Sequence, residues 1–336
     1  MKVTVLIDTY NHERFIERAI SSVLDQDMPL DDVEILVVDD GSTDRTPELV
    51  RRFEPRVRYL PKPNGGQASA FNFGLAQAHG EIIAFLDGDD WWEETKLSTV
   101  LDAFTANPAI GAVGHGLYEV DADGRRLFVN TPDREYRCSF RTVEEGIWFR
   151  ELMSFMGTSR LAIRRSVLDE ILPVPEGVVI EADEYLATLA VAISGALVID
   201  QPLTNYRYHP GNLYQYGTFD PEKAKRKSDA LGCLSRELPD RLRVLGISQE
   251  IINALLENRH IEAERLRLAV YGGSPWETLR VEQRAWRTRF DRCSAGYRIF
   301  QTLVLGVALI LPPRTFYRMR NSYSDRGLNR IRGLFD

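Results

Sequence analysis

The stretch IIAFLDGDDWW, Ile82 to Trp92, sets an apolar run directly before three carboxylates in four positions, Asp87, Asp89 and Asp90. A near-continuous apolar run of this length reads as a strand of a parallel sheet covered on both faces, and the acids fall where it ends. Like charges this close repel wherever they are partly desolvated. A divalent metal, a Lys or Arg, or plain solvent must meet them.

On the N-terminal side the same alternation recurs. KVTVLI reads as a strand, RFIERAISSVLDQ as a helix with an apolar face (Phe15, Ile16, Ala19, Ile20, Val23, Leu24), and VEILVVDD as a second strand. DRTPELVRRF, with Pro47 near its start, predicts another helix, and VRYLPK a short strand. NGGQASAFNFGLAQAHG predicts a glycine-rich loop feeding a helix that runs to Gly80. Strands alternating with helices imply an α/β fold: a doubly wound, mostly parallel sheet flanked by helices, with ligands in the crevice beyond the carboxyl ends of the strands. The loops DTYN, DDGS and DGDD all belong there. Further on, IGAVGHGLYEVDADGRRLF predicts a hairpin around Asp123 and Gly124, a helix spans about Asp183 to Ser194, and ALVIDQPLTNYRYHPGN gives a strand and an aromatic, His-containing loop.

The 336 residues are 44% hydrophobic and 27% charged, an ordinary globular composition. A formal net charge of -7 argues against broad nucleic-acid binding, which needs clustered Lys and Arg against phosphates. Cys138, Cys233 and Cys293 are few and far apart, so neither a disulfide framework nor a CxxC metal site is expected. MKVTVLIDTYNHERF lacks the pattern of a signal peptide, which places the catalytic part in the cytoplasm.

Residues 221 to 292 carry charged helical patterns and predict an all-α C-terminal extension. Ile299 to Leu311 is almost wholly apolar, and Arg314, Arg318, Arg320, Arg326, Arg330 and Arg332 follow. The run is shorter than the ~20 residues a spanning helix needs. Two readings stand: an anchor lying on the inner face of the cell membrane, its arginines on anionic lipid, or a buried core helix with a solvated basic tail.

As chemistry, D-x-D suits Mg²⁺ or Mn²⁺, which take one or two carboxylates together with waters and substrate phosphates. On an extended segment Asp87 and Asp89 point to the same side. The plain alternative is a turn with solvated aspartates. Asp39 and Asp40 end another central strand and open into the same crevice, which favours the functional reading.

Taken together, VLIDTYNHERFIERAISSVLDQ, EILVVDDGSTDRTPELV and NGGQASAFNFGLAQAHGEIIAFLDGDDWW resemble, in order and spacing, the N-terminal blocks of family 2 glycosyltransferases of the GT-A fold. EADEYLATLAVAISGALVIDQPLTNYRYHPGN resembles that family's acceptor-side block. The resemblance covers roughly residues 3 to 212 and implies an inverting transferase that moves one sugar from a nucleoside-diphosphate sugar, a UDP-sugar for preference, to a glycan or lipid-linked acceptor. It implies that Thr9, Tyr10 and Asn11 line the nucleotide, that Asp39 accepts from the base, that Asp87 with Gly88 lies near ribose and phosphates, and that Asp89 binds the metal. His209 is then either a metal or diphosphate contact or structural. Asp183 is the implied base for the acceptor hydroxyl, with Glu181 and Glu184 close enough to compete. The plain reading of EADE is an acidic helix start.

The chain departs from the family pattern at Asp8, where Pro is usual, and at Phe71, where Arg is common, both expected to alter the donor pocket, and at Ala182, which stands before Asp183. The Q-x-x-R-W motif of processive synthases is absent, so single-sugar addition is expected. On this reading residues 1–220 form the catalytic domain, 221–296 a helical appendage and 297–336 the apolar and basic segment. Asp90 is left to cap a helix near Glu93 or to steady Asp89 through a water. A receiver domain would carry its Asp pair on the first strand, not the second, and a dinucleotide oxidoreductase or a nucleotidyltransferase would need a Gly-rich loop that is absent here. A non-catalytic nucleotide-sugar-binding protein on the same fold is the remaining rival.

Overall fold

The computed structural model describes residues 2–209, 211–212, 221–287 and 295–326. Strands and helices alternate from the start: β1 (Val3–Thr9), α1 (Ile16–Leu24), β2 (Val33–Asp39), α2 (Thr46–Arg51), β3 (Arg58–Pro61), α3 (Gln67–Leu75), β4 (Ile82–Asp87), β5 (Trp91–Trp92) and α4 (Lys96–Ala106). There follow β6 (Ala112–Val120), β7 (Arg126–Asn130), β8 (Tyr136–Cys138), α5 (Val143–Leu152), β9 (Ala162–Arg164), α6 (Arg165–Ile171), α7 (Ala182–Ser194) and β10 (Ala196–Arg207). The rest is helical: α8 (Pro221–Val244), α9 (Gln249–Tyr271), α10 (Pro275–Arg287), α11 (Ala295–Ile310) and α12 (Pro313–Arg326).

Among the described residues the strands form one sheet in the order β3-β2-β1-β4-β9-β6-β10-β5, with β7 on β6 and β8 on β10. Strands β3, β2, β1 and β4 run parallel, and the largely apolar β1, β2 and β4 suit a sheet covered on both faces. Antiparallel β9 then joins β4 to β6, and β10 lies parallel to β6. Side chains alternate across the sheet. Val3, Val5 and Ile7 enter a core layer with Ile16, Ile20 and Val23 of α1 and Leu97, Val100 and Phe104 of α4. Leu6 and its register partner Phe85 face the other way, where Phe71 of α3 packs on Phe85 at 5.0 Å between centroids. Burying each such side chain contributes roughly 1.5–3 kcal/mol, so two apolar layers fix the strand ends.

Phe71 is fully buried in that layer. Where the family commonly has arginine, this chain packs Phe71 into the core. Helix α3 stops at Leu75, short of Gly80, because the chain turns back to β4 with the Gly80 N–H donating to Thr4 Oγ1 at 2.8 Å. The expected hairpin is present: β6 pairs antiparallel with β7, and Asp121 Oδ1 accepts from the N–H of Arg125 at 2.8 Å in the turn.

The chain divides into two compact units, Met1–His209 with Arg236–Leu255, and Pro210–Ser235 with Leu256–Asp336. In the first, Arg241 Nη2 donates to the carbonyls of Glu170 (2.8 Å) and Ile171 (3.2 Å), and Arg150 Nη1 to that of Ala254 (3.2 Å). In the second, Ile261, Leu268, Val281, Ala308, Phe316 and Tyr317 form a core. Buried Glu282 receives both Nε and Nη2 of Arg265 at 2.8 Å, the Tyr317 hydroxyl at 3.1 Å, and Arg320. Helix α11 buries Ala308 there but exposes Leu303, Val307, Leu309 and Ile310. No helix among the described residues is long and apolar enough to cross a membrane. Cys138 and Cys233 are free and buried. Cys293, Arg330 and Arg332 lie outside the described residues, as does the side chain of Arg326.

Candidate active site

Parallel register brings three acidic strand ends side by side: Asp8 of β1 stands opposite Asp87 of β4, and Thr9 opposite Asp39 of β2. Beyond β1, Thr9 Oγ1 lies 3.2 Å from His12 Nδ1, and Tyr10 is 43% exposed. Asn11 takes a left-handed φ of 58°. There its N–H reaches Ser42 Oγ (2.8 Å) and its Oδ1 accepts from the Thr43 N–H (2.7 Å), locking the first acidic loop to the second.

Protein donors already meet the acids after β2. Asp39 Oδ1 accepts from the Ser42 N–H at 2.8 Å and Oδ2 from the Tyr59 hydroxyl at 2.7 Å. Asp40 accepts from Lys62 Nζ at 2.5 Å and from the N–H groups of Gly65 and Gly66 at 2.9 and 2.7 Å, so it shapes the glycine loop ahead of α3. Spare lone pairs on Asp39 leave it able to accept one more donor from a ligand.

The loop after β4 is different. The Gly88 N–H donates to the Asp8 carbonyl at 2.9 Å. A Cβ at Gly88 would lie 2.7 Å from Thr9 Oγ1 and 2.9 Å from His12 Nδ1, so only glycine lets β1 and β4 close up here. Asp89 Oδ2 is 2.9 Å from His209 Nε2 and 3.8 Å from His12 Nε2. Burial pushes the Asp89 carboxyl up, but the pull of His12 and His209 outweighs it and holds the group below the usual carboxylate range. Asp8 and Asp87 are both pushed well above it: Asp8 by burial and then by the Asp89 charge, Asp87 by burial and then by Asp8. Buried Asp8 Oδ1 has no hydrogen-bond partner among the described residues.

Asp90 does not cap a helix. Helix α4 begins at Lys96 without a side-chain cap, and Asp90 Oδ1 accepts from the Arg207 N–H at 2.8 Å while Oδ2 lies 2.6 Å from Ser159 Oγ. Burial, followed by the Asp89 charge, raises its pKa to about 8. Its task is to tie the end of β10 to the loop. Trp92 packs in the core and donates Nε1–H to the Ser159 carbonyl at 2.8 Å, whereas Trp91 lies between the β5 backbone and two arginines.

Across the crevice, Asp183 sits in the first turn of α7. Its Oδ2 accepts from the Thr158 N–H (2.9 Å) and hydroxyl (3.0 Å), and its Oδ1 from the Glu184 N–H (2.8 Å). Its charge bears on both Asp8 and Asp87. Glu181, at a left-handed φ of 62°, and Glu184 are both 8% exposed, while Asp183 is more open to solvent. Gln67 sets this helix start, donating to Thr158 Oγ1 (3.0 Å) and accepting from the Ala182 N–H (2.9 Å). The structure thus gathers Asp87, Gly88, Asp89, His209 and Asp183 around one crevice, with Thr9, Tyr10, Asn11 and Asp39 beside it. It adds Asp8 and His12, which lie in the first block without a role assigned there, and Thr158 and Ser159, which no motif flags.

Among the described residues no three His, Cys, Asp or Glu side chains form a ready cation cage. An ion held by Asp89 would draw its other ligands from phosphate oxygens and water, as Mg²⁺ commonly does.

Acids at the carboxyl ends of parallel strands, faced by a carboxylate from a separate helix, stand where an open α/β sheet binds its ligand. The chain belongs to glycosyl transferase family 2, whose profile it matches over residues 4–172. An uncharacterized glycosyltransferase, alr2836 of Nostoc sp., is 32% identical over 238 residues, 68% of this chain and 72% of that protein. Among solved structures, S. aureus TarS 1-349 in complex with UDP-GlcNAc covers 97% of this chain and 92% of its own, with a TM-score of 0.58 and 18% identity. The mannosyltransferase PcManGT of Pyrobaculum calidifontis, in complex with GDP-Man and Mn²⁺, covers 96% and 84% with a TM-score of 0.51 and 23% identity. These likenesses show that the GT-A-type fold expected from sequence is the fold adopted.

Proposed function

We propose that the protein transfers one sugar, with inversion, from a UDP-sugar to a hydroxyl of a glycan or lipid-linked acceptor, assisted by Mg²⁺ or Mn²⁺. The observation that carries this reading is the placement of Asp89, its Oδ2 2.9 Å from His209 Nε2 and 3.8 Å from His12 Nε2, beside the register partners Asp8 and Asp87. In support of the donor, a poly(ribitol-phosphate) beta-N-acetylglucosaminyltransferase, TarS of Staphylococcus aureus, is 38% identical over 101 residues, 29% of this chain and 18% of that protein. Its structure was solved with UDP-GlcNAc.

In this reading Thr9, Tyr10, Asn11 and Asp39 seat the nucleoside, and Asp87 and Gly88 lie along the ribose and diphosphate. Asp89, joined by His209, holds the metal, which when bound neutralises charge on the departing diphosphate. Asp183, aligned by Thr158, takes the proton of the acceptor hydroxyl. The acceptor oxygen bonds to the anomeric carbon, the carbon–oxygen bond to the diphosphate breaks, and the nucleoside diphosphate leaves from the opposite face. The exposed apolar face of α11 rests on the inner face of the cell membrane, near a lipid-linked substrate. Flotation of the full chain with anionic vesicles tests that placement; a protein that stays unbound refutes it.

The deciding experiment measures UDP-GlcNAc and GDP-Man binding by calorimetry with Mn²⁺ and with chelator, in wild type, Asp89→Asn and Asp183→Asn. Metal-dependent UDP-sugar binding that Asp89→Asn loses and Asp183→Asn keeps, while both lose transfer, is expected. Full transfer by Asp183→Asn removes it as the base.

A further inference from the structure

Arginines and aromatic rings alternate along one wall of the crevice. The guanidinium carbon of Arg14 lies 5.3 Å from the Phe15 ring centroid, that of Arg207 4.6 Å from both Phe15 and Trp91, and that of Arg18 3.4 Å from Trp91. Arg126, 3.6 Å from Tyr118, adds a fourth cation. The inner arginine is occupied: buried Arg207 donates from Nε to the Asp89 carbonyl and from Nη1 to the Ala122 carbonyl, both at 2.8 Å. Arg126 pairs with Glu93 at 2.5 Å. Arg14 and Arg18 are exposed, and no ion pair engages their guanidinium groups among the described residues.

Such crowding needs a reason in a chain of net charge -7. After burial, the main cause lowering the Arg18 pKa is Arg126, and for Arg207 it is Arg18, so these cations work against one another. Gly124, at the φ of +85° that favours glycine, brings the hairpin turn up to Arg18, whose Nη1 would lie 2.5 Å from a Cβ at that position. A guanidinium stacked flat on indole keeps its in-plane N–H fork free, a donor set that matches phosphate oxygens.

We propose that Arg14 and Arg18, flanked by Arg126, bind a phosphate group carried by the acceptor. Arg18 lies one ring further from Asp89 than Arg207 does, outside the loop that receives the donor diphosphate. Assigning the phosphate to the acceptor rests on the transferase reading above; the presence of an anion site does not.

Calorimetry on the full chain, saturated with UDP and Mn²⁺, with an oligomeric glycerol phosphate as probe, tests the proposal. Wild type is expected to bind more weakly as salt rises, and Arg14→Gln/Arg18→Gln to bind about tenfold more weakly, with UDP affinity unchanged. Arg14→Gln alone, remote from the indole, is expected to shift affinity in the same direction, and Arg14→Lys to recover most of it. A parallel run with phosphatidylcholine vesicles containing a polyprenyl phosphate separates the sources: arginine-dependent binding in the soluble arm assigns a polyol-phosphate acceptor, and in the vesicle arm a lipid phosphate. Arginine-independent binding in both arms, or UDP affinity falling in step with the probe's, overturns the proposal. If wild type fails to bind UDP, the UDP-donor reading falls, and the same titration without UDP still tests the anion site.

Discussion

Asp39-Asp40 and Asp87-Gly88-Asp89-Asp90 both close a parallel strand with acids, yet their surroundings are opposite. Ser42, Tyr59, Lys62 and two glycine N–H groups meet the first pair. Around the second, Asp8, Asp87 and Asp90 are pushed above their ordinary range, by burial first and next by a neighbouring carboxyl, Asp89 for both Asp8 and Asp90, and Asp8 for Asp87. A carboxylate saturated by protein donors shapes a loop, whereas carboxyls that raise one another's pKa mark a place where positive charge has still to arrive.

The contrast is broken most directly by comparing Asp89→Asn with Asp39→Asn. Transfer by Asp89→Asn is expected to fall roughly 10³-fold, about 4 kcal/mol. Asp39→Asn should chiefly raise the donor KM; equal losses of kcat would erase the distinction. Next in size is Lys62→Met, which strands the Asp40 charge and should cost about 3 kcal/mol in urea unfolding.

Lys96 sharpens the comparison from the opposite sign of charge. It is fully buried against the Trp92 ring at 3.5 Å, its Nζ has no hydrogen-bond partner among the described residues, and burial lowers its pKa well below 10.5. The folded state therefore binds fewer protons than the unfolded chain, and this residue's contribution to stability falls as pH drops below 10.5 toward the folded pKa. Lys96→Met should stabilise at pH 7 by about 1–2 kcal/mol and flatten the pH dependence of Tm on the alkaline side. A variant less stable than wild type at pH 7 would show that the ammonium has a partner. The smallest effect is expected from Tyr59→Phe, which removes one bond to Asp39 at about 1 kcal/mol; unfolding midpoints in urea would register it.

Much of this was legible in the sequence, because apolar strands and acidic loops are local signals. β1, β2 and β4 are mostly apolar runs, and each carries an acid, Asp8, Asp39 or Asp87, at its end. Asp183 and His209 depended on family resemblance, since an acid at a helix start is also what the macrodipole favours. Thr158 and Ser159 had no such signal: they are ordinary residues in a short 3-10 turn, and their roles arise only when β9 inserts between β4 and β6. The arginine and aromatic wall was equally hidden. Arg14, Arg18, Trp91 and Arg207 come from distant parts of the chain, and only the Tyr206-Arg207-Tyr208-His209 stretch hints at it. Phe71 stands at a motif position, where a substitution looks functional, and the structure packs it into the core.

Thr158 and Ser159 are neighbours in the chain, yet one grips Asp183 and the other contacts Asp87 and Asp90. A single peptide unit therefore acts as a ruler between the two banks of the crevice. The proposed base and the loop proposed to receive the diphosphate cannot drift apart independently, so any closing motion has to carry them as one body. Room for a larger sugar would have to come from elsewhere in the wall.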